Sequence, residues 1–171
     1  GHRLAVPPPA ADIRRTMTWQ PQTLPPAHPA VASGRVGVLV VNLGTPDAPD
    51  APSVKRYLRE FLSDKRVVEI PALVWQPILR GIILNTRPKK SAHAYSQVWT
   101  EHGSPLAAIT RAQAEGLQAR LGEAVVVRWA MRYGNPAIGD ELQALMDAGC
   151  DRVLLAPLYP QYSGATTATV V

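Results

Sequence analysis

The stretch that decides the fold is VLLAPLYPQYS, residues 153–163. Its apolar first half is typical of a strand buried in a parallel sheet, and the two prolines end that strand because proline cannot donate to a central ladder. Tyr159, Tyr162 and Ser163 are therefore expected on a rigid turn at the carboxyl end of a strand, which is where open α/β sheets bind ligands. A ligand site and a purely structural tyrosine corner both fit these residues.

Two earlier segments have the same apolar character. RVGVLVVNL, from Arg35 to Leu43, and AVVVRWA, from Ala124 to Ala130, are predicted as strands, with helical patterns before and after the second. Alternating strands and helices predict an α/β fold, a doubly wound parallel sheet with helices on both faces. The three exit turns should then share one edge of the sheet and bring together four polar side chains, Arg132, Tyr133, Tyr159 and Tyr162.

Candidate N-cap residues indicate where the helices begin. Ser53, Ser104 and Asn135 are predicted to begin helices as N-caps, and a final helix is expected from Ala165. Arg87-Pro88-Lys89-Lys90 is predicted as a basic turn before a helix over residues 91–100, because proline interrupts helices. The stretch 72–84 is apolar nearly all round. It is either deeply buried, which is the default expectation, or a lip that touches a membrane.

Composition bounds the class of protein. The chain has 171 residues with a formal charge of +5, too mild and scattered to indicate nucleic-acid binding. The single cysteine, Cys150, precludes an intramolecular disulfide and is expected to be a buried thiol. Residues 1–34 hold 7 of the 17 prolines and are predicted to be a disordered leader, which leaves 35–171 as the folded half-domain.

Five motifs together resemble one family. VNLGTP (41–46), RPKKSAHAY (87–95), WTEHGSPL (99–106), MRYGNP (131–136) and PLYPQYS (157–163) follow the order and spacing of ferrochelatases of the bacterial protoporphyrin type. The resemblance runs from about Arg35 to Val171 and implies the amino-terminal half of a chelatase-like protein with a porphyrin cleft between two similar halves. It also implies insertion of ferrous iron into protoporphyrin IX, the last step of haem biosynthesis.

The resemblance implies seven porphyrin-binding residues. Leu43 corresponds to a residue facing the macrocycle, Ser104 to a serine near a propionate, and Arg132 with Tyr133 to a pair on the distal side of the ring. Arg87, Tyr95 and Tyr159 correspond to cleft-wall residues. A porphyrin is an apolar disc with two carboxylates at one edge, which aromatic and leucine walls with arginine or serine at the rim would suit. Each has a plainer alternative: Leu43 a core leucine, Arg87 a solvated cap, Ser104 an N-cap.

The chain departs from the family at the catalytic residues. The histidine and glutamate that the family uses lie in its second half, and His2, His28, His93 and His102 match neither. We therefore expect no catalytic residue and no metal ligand here, and an isolated chain without activity. Gly164 stands where animal members carry a cluster-binding cysteine, so no iron–sulfur cluster is expected from these residues.

The leading hypothesis is a ferrochelatase, a cytoplasmic lyase peripheral to the membrane. Its expected partners are the porphyrin, ferrous iron and, transiently, a membrane surface, and not nucleic acid. Three alternatives stay open: a non-catalytic porphyrin-binding fragment, a chelatase for another metal or tetrapyrrole, and a truncated product with no stable fold, since half a cleft exposes apolar surface.

Overall fold

The computed structural model describes residues 34–159 and 161–170. The predicted leader therefore lies outside the described residues, apart from Gly34. Strands and helices alternate as expected. In chain order they are β1 (Arg35–Gly44), α1 (Ala51–Ser63), α2 (Ala72–Ile78), a π-helical segment (Leu79–Ile83), α3 (Leu84–Val98), α4 (Pro105–Leu121), a 3₁₀ turn (Gly122–Ala124), β2 (Val125–Tyr133), α5 (Ile138–Asp147), β3 (Cys150–Pro157) and a 3₁₀ turn (Thr167–Thr169).

The three strands form a parallel sheet in the order β2-β1-β3. Val38 of β1 pairs with Val127 of β2 on one side and with Leu154 of β3 on the other. Because the first strand is central and the chain crosses over to both of its edges, the sheet is doubly wound, and the predicted fold class is confirmed. The carboxyl ends of all three strands lie at one edge, as the pattern indicated.

Helices cover both faces of this sheet. On one face Leu39 and Val41 form a buried core with Ala130 and with Leu145 of α5, which Cys150 joins. On the other face Val38 and Val40 pack with Ala114 of α4. Alternate β1 residues thus serve two cores, which explains why the segment reads as an uninterrupted apolar run. The expectation that Cys150 is a buried thiol is confirmed.

Helix α4 begins at Pro105 with Ser104 at the N-cap position, as predicted, but the starts of α1 and α5 differ from those predicted. Helix α1 begins at Ala51, and its N-cap is Asp50, whose Oδ1 accepts a hydrogen bond from the Ser53 N–H at 2.7 Å. A carboxylate three residues earlier takes the capping role that was assigned to Ser53. Helix α5 begins at Ile138 with Ala137 at the N-cap position. Asn135 lies two residues before this N-cap position, so it is not the cap that was predicted.

Strand β2 is longer than predicted, and Arg132 and Tyr133 are its last two residues rather than part of a turn. The chain turns back directly afterwards. The Met131 N–H donates to the carbonyl oxygen of Pro136 at 2.7 Å, which closes the MRYGNP segment on its own strand. The extra pairing reaches Gly44 opposite Tyr133.

The basic segment 87–90 was wrongly predicted to be a turn. Helix α3 continues through it, with Pro88 inside the helix. Leu84, Pro88 and Ala92 are spaced four residues apart and form its buried stripe, so packing outweighs the backbone bond that proline removes. The final helix expected from Ala165 was also wrong. Only a 3₁₀ turn at Thr167–Thr169 forms within the described part of that segment.

The apolar stretch 72–84 is not deeply buried, against the default expectation. Leu73 is 92% exposed and Ile82 is 59% exposed, whereas Leu79 faces inward. Trp75 anchors the segment because its indole N–H donates to the carbonyl oxygen of Leu62 at 2.7 Å. None of the helices formed by residues 34–159 and 161–170 has the length and apolar content needed to span a bilayer.

Candidate functional site

The exit turns of β1 and β2 approach closely at two glycines. Gly44 has φ +126°, and a Cβ atom there would overlap the carbonyl oxygen of Tyr133 and lie 2.8 Å from its carbonyl carbon. Gly134 has φ +87°, and a Cβ atom there would lie 2.7 Å from the carbonyl oxygen of Thr45. Only glycine allows both this conformation and this contact. The two glycines therefore bring the ends of the neighbouring strands into one site.

The centre of the site is a carboxylate that binds both residues at the end of β2. Asp64, which follows α1, accepts hydrogen bonds through Oδ2 from Nη2 of Arg132 at 2.8 Å and from the Tyr133 hydroxyl at 2.9 Å. Its Oδ1 accepts from the Arg66 N–H at 2.8 Å. The Arg132 Nε–H donates to the carbonyl oxygen of Thr169. The motif pair Arg132 and Tyr133 is thus fixed by groups from three parts of the chain.

Aromatic packing supports the same pair. Tyr57 and Phe61 of α1 are stacked with centroids 5.9 Å apart, and Phe61 meets the Tyr133 ring edge-on at 5.1 Å. The Arg132 guanidinium lies 4.6 Å from the Tyr133 ring centroid. Such contacts stabilise by about 0.5–1.5 kcal/mol each. Residues 57, 61 and 64 recur at helical spacing, so one face of α1 and its C-cap residue carry the aromatic contacts and the carboxylate, while Thr169 adds a backbone acceptor.

Polar contacts clamp the turn that follows β2. The Gly134 N–H donates to Oε2 of Glu60 at 3.0 Å, and the Asn135 amide donates to Oδ1 of Asp47 at 2.8 Å. Arg56 bonds the other oxygen of Asp47 at 3.4 Å. The Asn135 side chain therefore joins the turn after β2 to the exit turn of β1.

The environment keeps the phenols of the site protonated. Burial, followed by the hydrogen bond and the charge of Asp64, raises the pKa of Tyr133 to about 12. Burial also raises the pKa values of Tyr57, Tyr95 and Tyr159 above the ordinary 10.0. At neutral pH these hydroxyls are therefore hydrogen-bond donors rather than anions.

Asp64 stays ionised in spite of its position. Burial works to raise its pKa, but the Arg66 N–H, the Tyr133 hydroxyl and the charge of Arg132 outweigh that effect and hold the pKa below 3.8. The carboxylate and the Arg132 guanidinium thus form an ion pair, with side chains 14% and 27% exposed respectively.

Tyr159 joins this group from the end of β3. Arg132 lies near enough to influence the pKa of its phenol. The Tyr159 hydroxyl is buried and has no hydrogen-bond partner among the residues that the structure describes. A buried hydroxyl without a partner is costly, and a ligand atom could satisfy it. Tyr162, by contrast, is 76% exposed and does not join the cluster, against expectation.

Ser104 is not the side-chain cap that was predicted. It occupies the N-cap position of α4 but makes no capping hydrogen bond with its side chain. Its buried Oγ instead accepts from the Thr45 hydroxyl at 2.8 Å, which joins the start of α4 to the β1 exit turn. Leu43 is half-buried near the end of β1, directly before that turn, and its N–H donates to Oδ1 of Asn42 at 2.8 Å. Ser104 and Leu43 therefore lie beside the same exit turn, that of β1.

The two remaining predicted residues lie on α3. Tyr95 is half-buried, next to Tyr57, and meets Trp99 edge-on at 6.4 Å. Arg87 is exposed. Both histidines of the described part are exposed as well, His93 on α3 and His102 beside Glu101 at 3.5 Å.

A cavity of about 440 Å³ opens onto the Asp64 cluster. Its walls are polar and charged, with α1 supplying most of them and the end of β2 supplying Arg132 and Tyr133. Within residues 34–159 and 161–170, no three His, Cys, Asp or Glu side chains are grouped so that they could hold a metal ion. The arrangement can therefore bind and orient a ligand through arginine and phenol donors.

Sequence reasoning missed the acidic residues that support the site. Asp64, Asp47 and Glu60 were not singled out, and Thr45 appeared only within a motif. One signal was available: Asp64 lies seven residues after Tyr57, so it extends the inward face of α1. The partners of the other three lie 59 to 88 residues away in the chain, and local patterns do not show them.

Comparison with known proteins completes the description of the site. A sequence model described as Ferrochelatase matches residues 35–171. The chain is 56% identical over 146 residues to the ferrochelatase of Azoarcus sp. (strain BH72), covering 84% of this chain and 40% of that protein. It is 58% identical over 146 residues to that of Bradyrhizobium sp. (strain BTAi1 / ATCC BAA-1182), covering 83% and 42%. It is 57% identical over 150 residues to that of Rhodopseudomonas palustris (strain TIE-1), covering 85% and 44%. The chain spans about two fifths of the length of these relatives.

Proposed function

Because the chain belongs to the ferrochelatase family, we propose that it forms part of a lyase that inserts ferrous iron into protoporphyrin IX, the last step of haem biosynthesis. In this proposal the chain supplies one wall of the porphyrin cleft, and the porphyrin and ferrous iron are substrates. The observation that carries the proposal is the cluster of Arg132, Tyr133 and Tyr159 at the carboxyl edge of the sheet, where α/β folds bind ligands.

The roles of individual residues follow from their hydrogen-bonding capacity. The buried Tyr159 hydroxyl has no hydrogen-bond partner by geometry within the part of the chain that the structure describes, and the Arg132 charge acts on its pKa. The Ser104 oxygen accepts a hydrogen bond from the Thr45 hydroxyl, so the Ser104 O–H is left to donate a hydrogen bond to a carboxylate. The proposed porphyrin-binding set is Leu43, Arg87, Tyr95, Ser104, Arg132, Tyr133 and Tyr159.

Metal insertion requires a base that removes the two pyrrole protons. Asp64 is ionised but is occupied by Arg132, Tyr133 and Arg66. His93 and His102 are exposed and lie outside the cluster. We therefore expect the 171-residue chain to bind protoporphyrin IX without metallating it, and the complete protein to carry the base elsewhere.

The test is a titration of protoporphyrin IX followed by its Soret absorbance and fluorescence. We expect saturable binding by the wild-type chain, roughly tenfold weaker binding by Arg132→Gln, in line with the loss of a charged hydrogen bond, and no change for Arg111→Gln. Arg111 is the matched control because it is exposed on α4, away from the cluster. Absence of saturable binding, or equal effects of the two substitutions, would contradict the proposal. Competition among Fe²⁺, Co²⁺ and Ni²⁺ with the complete protein would distinguish an iron chelatase from one for another metal.

The second proposal is that the apolar segment contacts a membrane surface from the cytoplasmic side. Leu73 and Ile82 are exposed on this segment. Beside it lies a cavity of about 370 Å³ whose lining includes Lys55, Arg59 and Arg80. Apolar side chains next to basic ones suit an anionic bilayer surface.

Vesicle sedimentation tests the membrane proposal. We expect binding to phosphatidylglycerol vesicles that falls with added salt, is lost in Leu73→Asp/Ile82→Asp and persists in Ile109→Asp. Ile109 is the control because it is 58% exposed on α4. If all three proteins sediment alike, the segment has no role at a membrane.

A further inference from the structure

We propose that Asp64 is a positioning residue, which orients Arg132 and Tyr133 so that one edge of the Arg132 guanidinium meets the bound ring. This inference rests on the proposed porphyrin-binding function and assigns a role to a residue that no motif singled out. Asp64 itself does not contact the ligand in this proposal. It acts through the two residues that it binds.

The hydrogen bonds of the Arg132 guanidinium carry the argument. Nε donates to the carbonyl oxygen of Thr169, and Nη2 donates to Asp64. Two of its three nitrogens are therefore fixed by the protein, while Nη1 has no hydrogen-bond partner within residues 34–159 and 161–170. A planar guanidinium held at two nitrogens has a fixed orientation, so the direction of Nη1 is fixed as well.

The same carboxylate oxygen determines where the Tyr133 ring lies. The Tyr133 hydroxyl donates to Oδ2 of Asp64 at 2.9 Å, and its ring carries the Arg132 guanidinium 4.6 Å from the centroid. The phenol and the guanidinium are thus held against each other by one acceptor. Loss of that acceptor would release both side chains together.

Two further hydrogen bonds, both with backbone groups, hold Asp64 itself in place. Its Oδ1 accepts from the Arg66 N–H, and its own N–H donates to the carbonyl oxygen of Phe61 at 3.4 Å. The residue ends α1, so the orientation of this helix is passed directly to the Arg132–Tyr133 pair. A residue that only ended the helix would not need to engage both side chains of the site.

A double-mutant cycle for protoporphyrin IX binding separates positioning from a purely structural role. We expect Asp64→Asn and Arg132→Gln each to weaken binding by about tenfold, the size expected for coupled neighbours. The double variant should bind no more weakly than Arg132→Gln, because Asp64 acts through Arg132. Asp147→Asn, at the exposed end of α5, is the matched control and should bind as the wild type does. Circular dichroism would verify that each variant is folded. Wild-type affinity in Asp64→Asn, or losses that add in the double variant, would overturn the inference.

A second measurement needs no ligand. The Cζ chemical shifts of ¹³C-labelled tyrosines report each phenol titration, and Tyr133→Phe assigns the Tyr133 signal. We expect a lower titration midpoint for Tyr133 in Asp64→Asn than in the wild type. If the wild-type chain does not bind porphyrin, the proposed function of this chain fails. The pH titration of Tyr133 then still tests whether Asp64 holds the Arg132–Tyr133 pair. An unchanged titration midpoint for Tyr133 would refute the positioning role of Asp64, whereas a lowered midpoint would support it.

Discussion

The substitution Gly44→Ala tests the close approach of the two exit turns on which the site depends. Gly44 has φ +126°, and an added Cβ atom would overlap the carbonyl oxygen of Tyr133. Alanine at this position therefore requires both an unfavourable backbone conformation and a displacement of β1 from β2. Since Gly44 pairs with Tyr133 in the sheet, the displacement falls on the residue that carries the site phenol.

The expected loss follows from these two effects. A non-glycine residue at such a φ costs about 1–3 kcal/mol. Separating the strands leaves strand-end backbone groups without partners, at about 1–3 kcal/mol more. Alanine lowers the entropy of the unfolded chain and recovers about 0.4–1 kcal/mol. The free energy of unfolding should thus fall by roughly 3 kcal/mol, and the midpoint temperature by roughly 6–12 °C for a domain of this size.

Urea denaturation followed by circular dichroism measures this loss. Gly116→Ala is the matched control, because Gly116 lies inside α4 and a Cβ atom there meets nothing within 4 Å. It should raise the free energy of unfolding by about 0.5–1 kcal/mol. A Gly44→Ala protein that loses less than 1 kcal/mol, or a control that loses as much as the test variant, would show that the exit turns are not in such close contact.

Three further outcomes follow from burial and charge. Leu39→Ala removes a fully buried side chain from the centre of β1 and should lower the free energy of unfolding by about 3–5 kcal/mol in the same assay. Cys150 is 7% exposed and should react with a thiol reagent only as fast as the protein opens, but at once in urea. The pKa of Asp64 is lowered on folding, so its stabilising contribution is present at neutral pH and is lost as pH falls below about 4. The wild type should therefore lose more stability than Asp64→Asn between pH 5 and pH 3, and equal losses would contradict the lowered pKa.

The sheet could be predicted from the sequence because its signals are local. Each strand is a short apolar run bounded by proline, glycine or asparagine, and a parallel strand that is buried on both faces, as β1 is, needs no alternation. The common edge of the three exit turns followed from topology alone. Arg132, Tyr133 and Tyr159 were brought together as expected because each follows or ends a strand at that edge.

The start of α4 at Pro105, with Ser104 at the N-cap position, was predicted correctly, but other features of the helices were not, because tertiary packing overrides local preference. Pro88 is a turn signal, but its position between Leu84 and Ala92 on a buried stripe keeps it within α3. Ser104 is a good N-cap residue, but Thr45 supplies a partner from 59 positions away. For Ser104 the residue that decides this contact is distant in the chain.

The acidic support of the site illustrates the same limit. The binding residues were found through motifs, whereas Asp64, Asp47 and Glu60 act through partners on other elements. Their carboxylates are ordinary surface residues by local pattern. Only the packing of α1 against the end of β2 gives them a role.

The central position of β1 also sets the order in which the protein can assemble during translation. Gly37 pairs with Val126, 89 residues later, and with Val153, 116 residues later. At a synthesis rate of about 5–20 residues per second, the first edge of β1 lacks its neighbour for roughly 4–18 s after β1 is made. The most apolar strand of the sheet is thus the first to be synthesised and the last to be covered. Nascent chains of this protein should therefore depend on the ribosome surface or on chaperones to keep the segment 36–43 from associating before β2 and β3 emerge.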